Sequence, residues 1–417
     1  MGIRSTTIAR AAALPRFRFS RRGTKFLIYG QQKHAGFTSE VVRIRAAPGT
    51  IHPGPRDATI HVIDAKAKAS YRSDADETIR GRPPFRGPRN PGARPTREGH
   101  FDRLRPRRRP FAAAAAFAVG RCTLEIWRHY FERPLPWHFR RTFGPSLELI
   151  PRVRSFNAWS GDGSLEFGFP DYPDSRGADP FAENFDAVAH ETGHLIMKSI
   201  VGQMPDDQKS MQYRAHEEAA ADLVALVAAL HFDSVVEHVL RETRGYLFAE
   251  NAACRLAEWG PDRDEKIRSI FNNATLASVR KFKGLNKHRL SLPFSGAAYD
   301  VFVGIYQTKL VKRGAIPKIL AGRSRHVPGR RPPGLRGEFG QHLAAKHHDF
   351  VAAIADARHD FARLLARAWK ATPMRELSYA LVVANLIAAD RSLYRGAYGR
   401  LISRAFAARG IAPPPGT

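Results

Sequence analysis

Two histidines and a glutamate near the middle of the chain have the spacing of a metal site. Residues 190–194 read His-Glu-Thr-Gly-His, so that His190 and His194 are four positions apart and Glu191 follows the first of them. Apolar residues at steps of three and four around this motif predict a helix, on which positions four apart share a face. The two imidazoles could therefore hold one metal ion, with Glu191 near its open side.

A catalytic zinc site needs a third protein ligand besides one open position. Residues 216–222 (HEEAAAD) open a second, Ala-rich helix on which Glu218 and Asp222 are again four apart. We interpret Glu218 as the third ligand and Asp222 as the acceptor of the free ring N–H of His190 or His194. Glu217 is expected to point elsewhere, into solvent. The competing interpretation, a core helix that happens to carry two histidines, is disfavoured by this second carboxylate motif.

This pairing of motifs resembles the thermolysin-like zinc metallopeptidases (gluzincins), in which H-E-x-x-H is followed by a helix reading N-E-x-x-x-D. Glu217 stands at the Asn position, while Glu218 and Asp222 keep the Glu and Asp positions. The resemblance covers residues 111–412 and implies an α+β fold. A β-rich N-terminal part with an edge strand and the metal-binding helix would precede a mostly helical C-terminal domain.

Residues 155–169 predict an edge strand, a turn and a second strand. They resemble the family's Asn-Ala-x-Trp edge strand, which binds substrate as an added β-strand. By this resemblance Asn157 and Ala158 would contact the substrate, although an Asn that only caps a turn is the local alternative. A short match to the family's Leu-Arg-Ser-Met segment makes Arg268 a candidate clamp for a substrate carbonyl, with an ordinary surface arginine as the alternative.

Residues 288–299 (HRLSLPFSGAAY) resemble the family segment that carries a histidine for the oxyanion. The resemblance implies this role for His288, although a histidine in a Lys-rich loop is ordinarily solvated. Two departures weaken the match: no Asp precedes His288 to orient it, and the family's assisting Tyr has no clear counterpart, Tyr213 being nearest to the metal segment. Calcium is expected to be absent or unimportant, since acidic clusters are thin.

The resulting prediction is a zinc metalloendopeptidase with Zn²⁺ as cofactor and a peptide or protein as substrate. Zinc on His190, His194 and Glu218 would activate a water molecule, and Glu191 would act as general base. The alternative is a catalytically weak or inactive metal-binding relative that serves as a protein-interaction scaffold. The intact Glu191 favours the enzyme.

The composition indicates a large globular chain with a basic N-terminal extension. Of 417 residues 43% are hydrophobic, and the formal net charge is +28, with much of the surplus in the first 110 residues. A nucleic-acid partner is the third hypothesis, but the Arg-rich run at 79–110 has only two aromatic residues, Phe85 and Phe101, that could stack on bases. The two cysteines imply neither a disulfide framework nor a thiolate metal site, and no apolar run is long enough for a membrane span.

Four regions are predicted along the chain. They are a disordered basic N-terminus (1–24), short strands with an Arg/Pro/Gly-rich loop (25–110), an α/β half with the H-E-x-x-H motif (111–203) and a helical half with the third ligand and His288 (204–417). Three β-like runs are expected to form one small antiparallel sheet (25–29, 40–45 and 58–64). Two Arg/Pro/Gly-rich segments are expected to be mobile (79–110 and 321–340), and one long helical region is expected from 222 to about 250.

The N-terminus lacks the apolar stretch and cleavage site of a signal peptide. A cytoplasmic location is the default expectation. An Arg-rich, acid-free start is also compatible with an organelle transit peptide or a misassigned start codon, so that secretion stays an alternative.

Overall fold

The chain has the predicted α+β architecture, with small sheets in its N-terminal part and helices throughout its C-terminal part. The structure is a computed structural model, and it describes residues 14–31, 37–72, 81–155, 157–169, 180–256, 268–326, 328 and 334–414.

The strands of the described residues form three separate sheets. They are β1 (Thr24–Tyr29), β2 (Ser39–Ile44), β3 (Ile60–Val62), β4 (Leu147–Val153), β5 (Ala158–Gly161), β6 (Ser164–Gly168), β7 (Arg255–Leu256) and β8 (Arg268–Ser269). Antiparallel pairs are formed by β1 with β2 and by β7 with β8, and the four-stranded sheet has the order β3-β4-β6-β5. The prediction that β3 joins β1 and β2 is wrong, because β3 pairs in parallel with β4. The predicted edge strand and its neighbour are β5 and β6, which are antiparallel.

Helices supply the rest of the architecture. They are α1 (Arg109–Phe131), α2 (Arg140–Phe143), α3 (Phe185–Ile200), α4 (Met211–Ala229), α5 (Asp233–Thr243), α6 (Leu276–Arg280), α7 (Lys287–Lys312), α8 (Lys318–Arg323), α9 (Leu335–Lys370), α10 (Tyr379–Tyr394) and α11 (Gly399–Ala407). Among the described residues no single helix is long and apolar enough to cross a membrane, although α4 and α5 would pass that test together as a pair bent by 100°.

Three predicted boundaries are wrong. The single helical region from 222 to about 250 is two helices, because the chain bends by 100° between α4 and α5 while its apolar residues continue through the bend. The segment around His288 is the first turn of α7 rather than a loop. The insertion at 321–340 contains the end of α8 and the start of α9; residues 327 and 329–333 lie outside the described part of the chain.

One cluster of buried apolar side chains joins the N-terminal and C-terminal parts. It extends from Phe17 to Ile411, so the predicted boundary at 203/204 separates two halves of one core. Phe17 is itself 3% exposed and packs edge-on against His129 and His231. The predicted disordered N-terminus (1–24) thus includes a residue that packs in this cluster, and residues 1–13 lie outside the described part of the chain.

The Arg/Pro/Gly-rich segment before α1 packs against β1. From 81 to 108 it forms no helix or strand, as its composition predicts. Phe101 is nevertheless fully buried, and its ring stacks on that of Phe26 at 4.8 Å. Phe101 thus attaches this segment to β1, and the expected mobility of residues 79–110 stays a prediction.

The close crossing of α3 and α4 depends on Gly193, the fourth residue of the H-E-x-x-H motif. A Cβ at this position would lie 2.9 Å from Ala221 Cα and 3.1 Å from Val224 Cβ. Glycine therefore lets the two helix backbones approach each other where His194 and Glu218 must meet. The small residues of α4 at the same crossing, Ala220 and Ala221, are completely buried.

Replacing Gly193 with alanine is expected to destabilise the fold, although alanine is the better helix former. Overpacking at this contact should lower the free energy of unfolding by about 1–3 kcal/mol and push α4 away from α3. Urea denaturation would measure the change. Gly337→Ala is the matched control, since Gly337 lies in α9 with nothing within 4 Å of an added Cβ. This control should be neutral or stabilise by up to about 1 kcal/mol. Equal effects at both positions would contradict the close crossing.

Candidate metal centre

The two histidines of α3 face each other across one helical turn. Asn184 caps this helix by accepting from the backbone N–H groups of Asp186 and Ala187. The Nε2 atoms of His190 and His194 are 3.1 Å apart. Together with Glu191 they form a buried group whose candidate ligand atoms all lie within 4.8 Å of one another, and this group could hold a metal ion.

The next helix brings Glu218 to the same point. Ser210 caps α4 by accepting from Tyr213 N–H, and Glu218 lies two turns into the helix with 2% of its surface exposed. Its carboxylate oxygens are 3.6 Å from His190 Nε2 and 3.8 Å from His194 Nε2. Ligand atoms about 2.1 Å from a tetrahedral zinc ion are about 3.4 Å apart. The two imidazole nitrogens and the carboxylate therefore fit a zinc ion in both chemistry and spacing.

Asp222 contacts the other nitrogen of the His190 ring. Its Oδ1 is 2.9 Å from His190 Nδ1, and the carboxylate is 1% exposed. Burial disfavours a charged imidazole, but the hydrogen bonds to Asp222 and Glu218 outweigh it and raise the pKa of His190 well above its usual value. With Nδ1 on Asp222, Nε2 is the nitrogen that faces Glu218 and His194.

Glu217 does not point into solvent, contrary to the sequence-based expectation. Its Oε1 is 3.5 Å from His194 Nδ1 and 3.5 Å from Lys198 Nζ, and its side chain is 14% exposed. Burial opposes its ionisation, but Lys198 and His194 outweigh burial and lower its pKa. Each histidine thus has a carboxylate on its Nδ1 side.

The start of α7 adds two cationic or protonatable groups to this centre. His288 Nδ1 is 3.2 Å from Glu218 Oε2, and Lys287 Nζ is 3.1 Å from Glu218 Oε1. Burial would raise the pKa of Glu218, but Lys287, His288 and the two histidines of α3 lower it well below its usual value. Sequence reasoning missed Lys287, because an isolated lysine before a helix carries no motif. The structure also supplies a contact for His288 in place of the missing Asp.

Two other residues singled out in the sequence have different partners. Tyr213 donates its hydroxyl to the carbonyl oxygen of Gly202 at 2.8 Å. Asp186, in the first turn of α3, accepts a hydrogen bond from Gln31 Nε2 at 2.8 Å.

The predicted substrate-binding residues lie on two different strands. Ala158 begins β5, at the edge of the four-stranded sheet and in contact with α3; Asn157 precedes it with an exposed side chain. Arg268 lies in β8, where its backbone pairs with Leu256. The side chain of Arg268 and the preceding residues 257–267 lie outside the described part of the chain.

Comparisons with known proteins find a similarity of structure alone. No protein-family profile matches this sequence, and no curated protein matches it. Among solved structures, the chain is similar to the precursor of protealysin, a metalloproteinase from Serratia proteamaculans. The two have 13% sequence identity and a TM-score of 0.48, over 84% of this chain and 87% of that one. At this level the similarity by itself assigns neither an activity nor a role to any residue.

Proposed function

We propose that this chain is a zinc-dependent metallopeptidase that hydrolyses peptide bonds. One observation carries the proposal: His190, His194 and Glu218 converge from two helices to within 3.1–3.8 Å, with Glu191 beside them. Two neutral imidazoles and one carboxylate are a donor set of catalytic zinc sites. Zinc held there would activate a water molecule and polarise the scissile carbonyl.

In this proposal Asp222, Glu191 and His288 each have a separate role in the reaction. Asp222 holds His190 in the tautomer that leaves Nε2 free to bind the metal. Glu191 accepts the proton of the attacking water and passes it to the leaving nitrogen. His288 donates a hydrogen bond to the carbonyl oxygen as negative charge develops on it. Its ring is 40% exposed, so substrate can reach it.

Substrate would bind in an extended form along the edge of the four-stranded sheet. Asn157 and Ala158 lie where a peptide could pair with β5, next to the helix that carries the two histidines. Arg268 is proposed to contact a substrate carbonyl. A peptide aligned in this way would have its backbone oriented by hydrogen bonds before the reaction begins.

Metal removal tests the proposal directly. The purified chain is expected to contain about one zinc ion and to cleave casein and unstructured peptides. Dialysis against a chelator should abolish cleavage, and added zinc should restore it. A chain that binds zinc but cleaves no member of a broad peptide library would be the scaffold instead. Cleavage that survives complete metal removal would exclude the mechanism.

A further inference from the structure

A cavity of about 310 Å³ lies beside the edge strand β5 and has no role in the chemistry described above. Its walls are β5 with the following turn, residues 71–72 and 81–83, and the connection between α3 and α4. The side chains that matter for its chemistry are Trp159, Arg72, Arg82, Lys198, Lys209 and Asp162.

The cavity lies next to the edge of β5 along which a peptide substrate would bind. Within the described chain β5 pairs only with β6, so its other edge is available to an added strand. Trp159 is opposite Glu166 in the sheet register, and both side chains line the cavity. Lys198 connects the cavity to the metal centre, because it lines the cavity and contacts Glu217, which contacts His194. A peptide on this edge would place a side chain in the cavity.

Each of the three carboxylates that line the cavity already has hydrogen-bond or ion-pair partners within the chain. Asp162 is 3.1 Å from His138 Nε2 and accepts from Gln203 at 3.0 Å. Asp206 is paired with Lys209 at 2.8 Å. Glu166 accepts from the Ser70 hydroxyl and the Tyr71 backbone N–H, both at 2.8 Å, and is also paired with Lys68.

Two arginines also line the cavity. Arg72 lies over the ring of Trp159, with 5.8 Å between its Cζ and the ring centroid. Arg82 is exposed at the rim. Arg72 helps to lower the pKa of Asp206, but Asp206 is already paired with Lys209. Among the described residues that line the cavity, four cationic side chains therefore outnumber three carboxylates. A guanidinium group binds a carboxylate through two parallel N–H···O bonds.

We propose that this cavity binds the acidic side chain of a peptide substrate, with Arg72 and Arg82 as its specificity-determining residues. This inference rests on the proposed peptidase function. The preference is for Asp or Glu at one position near the cleaved bond.

A matched peptide set tests the preference on the zinc-loaded full-length chain. The peptides differ only in carrying Asp, Asn or Lys, one position at a time, within four residues of the cleaved bond. At one position the Asp peptide is expected to have a kcat/KM about tenfold above that of its Asn counterpart, as expected for a charge-assisted hydrogen bond. The Lys peptide should be the slowest of the three. Arg72→Glu and Arg82→Glu should each lower the Asp/Asn ratio toward or below one.

Arg400→Glu is the control, because it makes the same charge change on the exposed surface of α11, remote from the cavity. It should leave the Asp/Asn ratio as it is in the unmodified chain. A ratio near one at every position, or equal losses in the cavity variants and in the control, would overturn the inference while peptide cleavage itself stands.

A binding measurement separates this inference from the proposed function. Fluorescence anisotropy of labelled Asp and Asn peptides is measured on the Glu191→Gln variant, in which cleavage is not needed. Tighter binding of the Asp peptide that requires Arg72 and Arg82, together with no cleavage of any peptide by the unmodified zinc-loaded chain, would uphold the acidic cavity and refute hydrolysis. The absence of both cleavage and binding preference would refute both.

Discussion

Replacing Glu191 with glutamine is expected to lower kcat for peptide cleavage by about 10²- to 10⁴-fold. The amide has nearly the same size as the carboxylate but cannot accept the proton of the attacking water. Glu191 is 9% exposed beside the two histidines, so the variant should keep the fold and the metal. Peptide cleavage kinetics and zinc content per chain, measured on the same preparation, test the two halves of this expectation.

Glu376→Gln controls for the loss of one charge, because Glu376 is exposed and distant in sequence from both metal-binding helices. Its kcat should equal that of the unmodified chain. Undiminished cleavage by Glu191→Gln would eliminate Glu191 as general base. Loss of zinc from Glu191→Gln would instead mark Glu191 as a ligand, since its carboxylate belongs to the same cluster as His190 and His194.

Replacing Glu218 with glutamine is expected to remove the metal, whereas the same change at the adjacent Glu217 is not. The Glu218 carboxylate lies within 3.6–3.8 Å of both Nε2 atoms, while Glu217 contacts His194 from the Nδ1 side. Loss of a carboxylate that only contacts a ligand typically weakens metal binding by about 10- to 100-fold, and loss of a ligand should exceed that. Zinc affinity from chelator competition and zinc content after dialysis provide the measurements.

The two glutamates form a closely matched pair. They are neighbours on α4, both are largely buried, and both substitutions remove one negative charge without changing side-chain volume much. In Glu218→Gln the ammonium group of Lys287 loses its partner, but this side chain is 27% exposed and can be hydrated. A greater loss of zinc from Glu217→Gln than from Glu218→Gln would show that Glu217, and not Glu218, is the metal ligand.

Periodic patterns in the sequence predicted individual elements well and the ends of those elements poorly. The helix predicted around His190 and His194 and the β5–β6 hairpin are both in the structure. The break between α4 and α5 was missed because α4 is almost wholly buried and apolar residues continue through the bend at Leu230 and Phe232 into the buried face of α5. The pairing of β3 with β4 was missed because a short β-like run carries no information about its partner.

In the candidate site, too, the sequence predicted the placement of residues within one helix but not the contacts between helices. Spacing four residues apart placed His190 with His194, and Glu218 with Asp222, because helix geometry alone puts such residues on one face. The same motifs led to the prediction that Glu217 points into solvent, whereas it contacts His194. They gave no indication that Lys287 contacts Glu218. Both of these contacts arise between different elements, where side-chain reach and the relative placement of α3, α4 and α7 decide what meets.

The sequence by itself determined which residue types could bind a metal ion and which of them share a helical face, because that information is local. Only the tertiary structure decided that the faces of α3 and α4 meet. Their crossing depends on a close backbone approach at Gly193 and on a core that extends from Phe17 to Ile411. Tertiary structure likewise decided that Arg72 and Arg82 face a cavity beside β5, since 75 residues or more separate them in the chain from that strand.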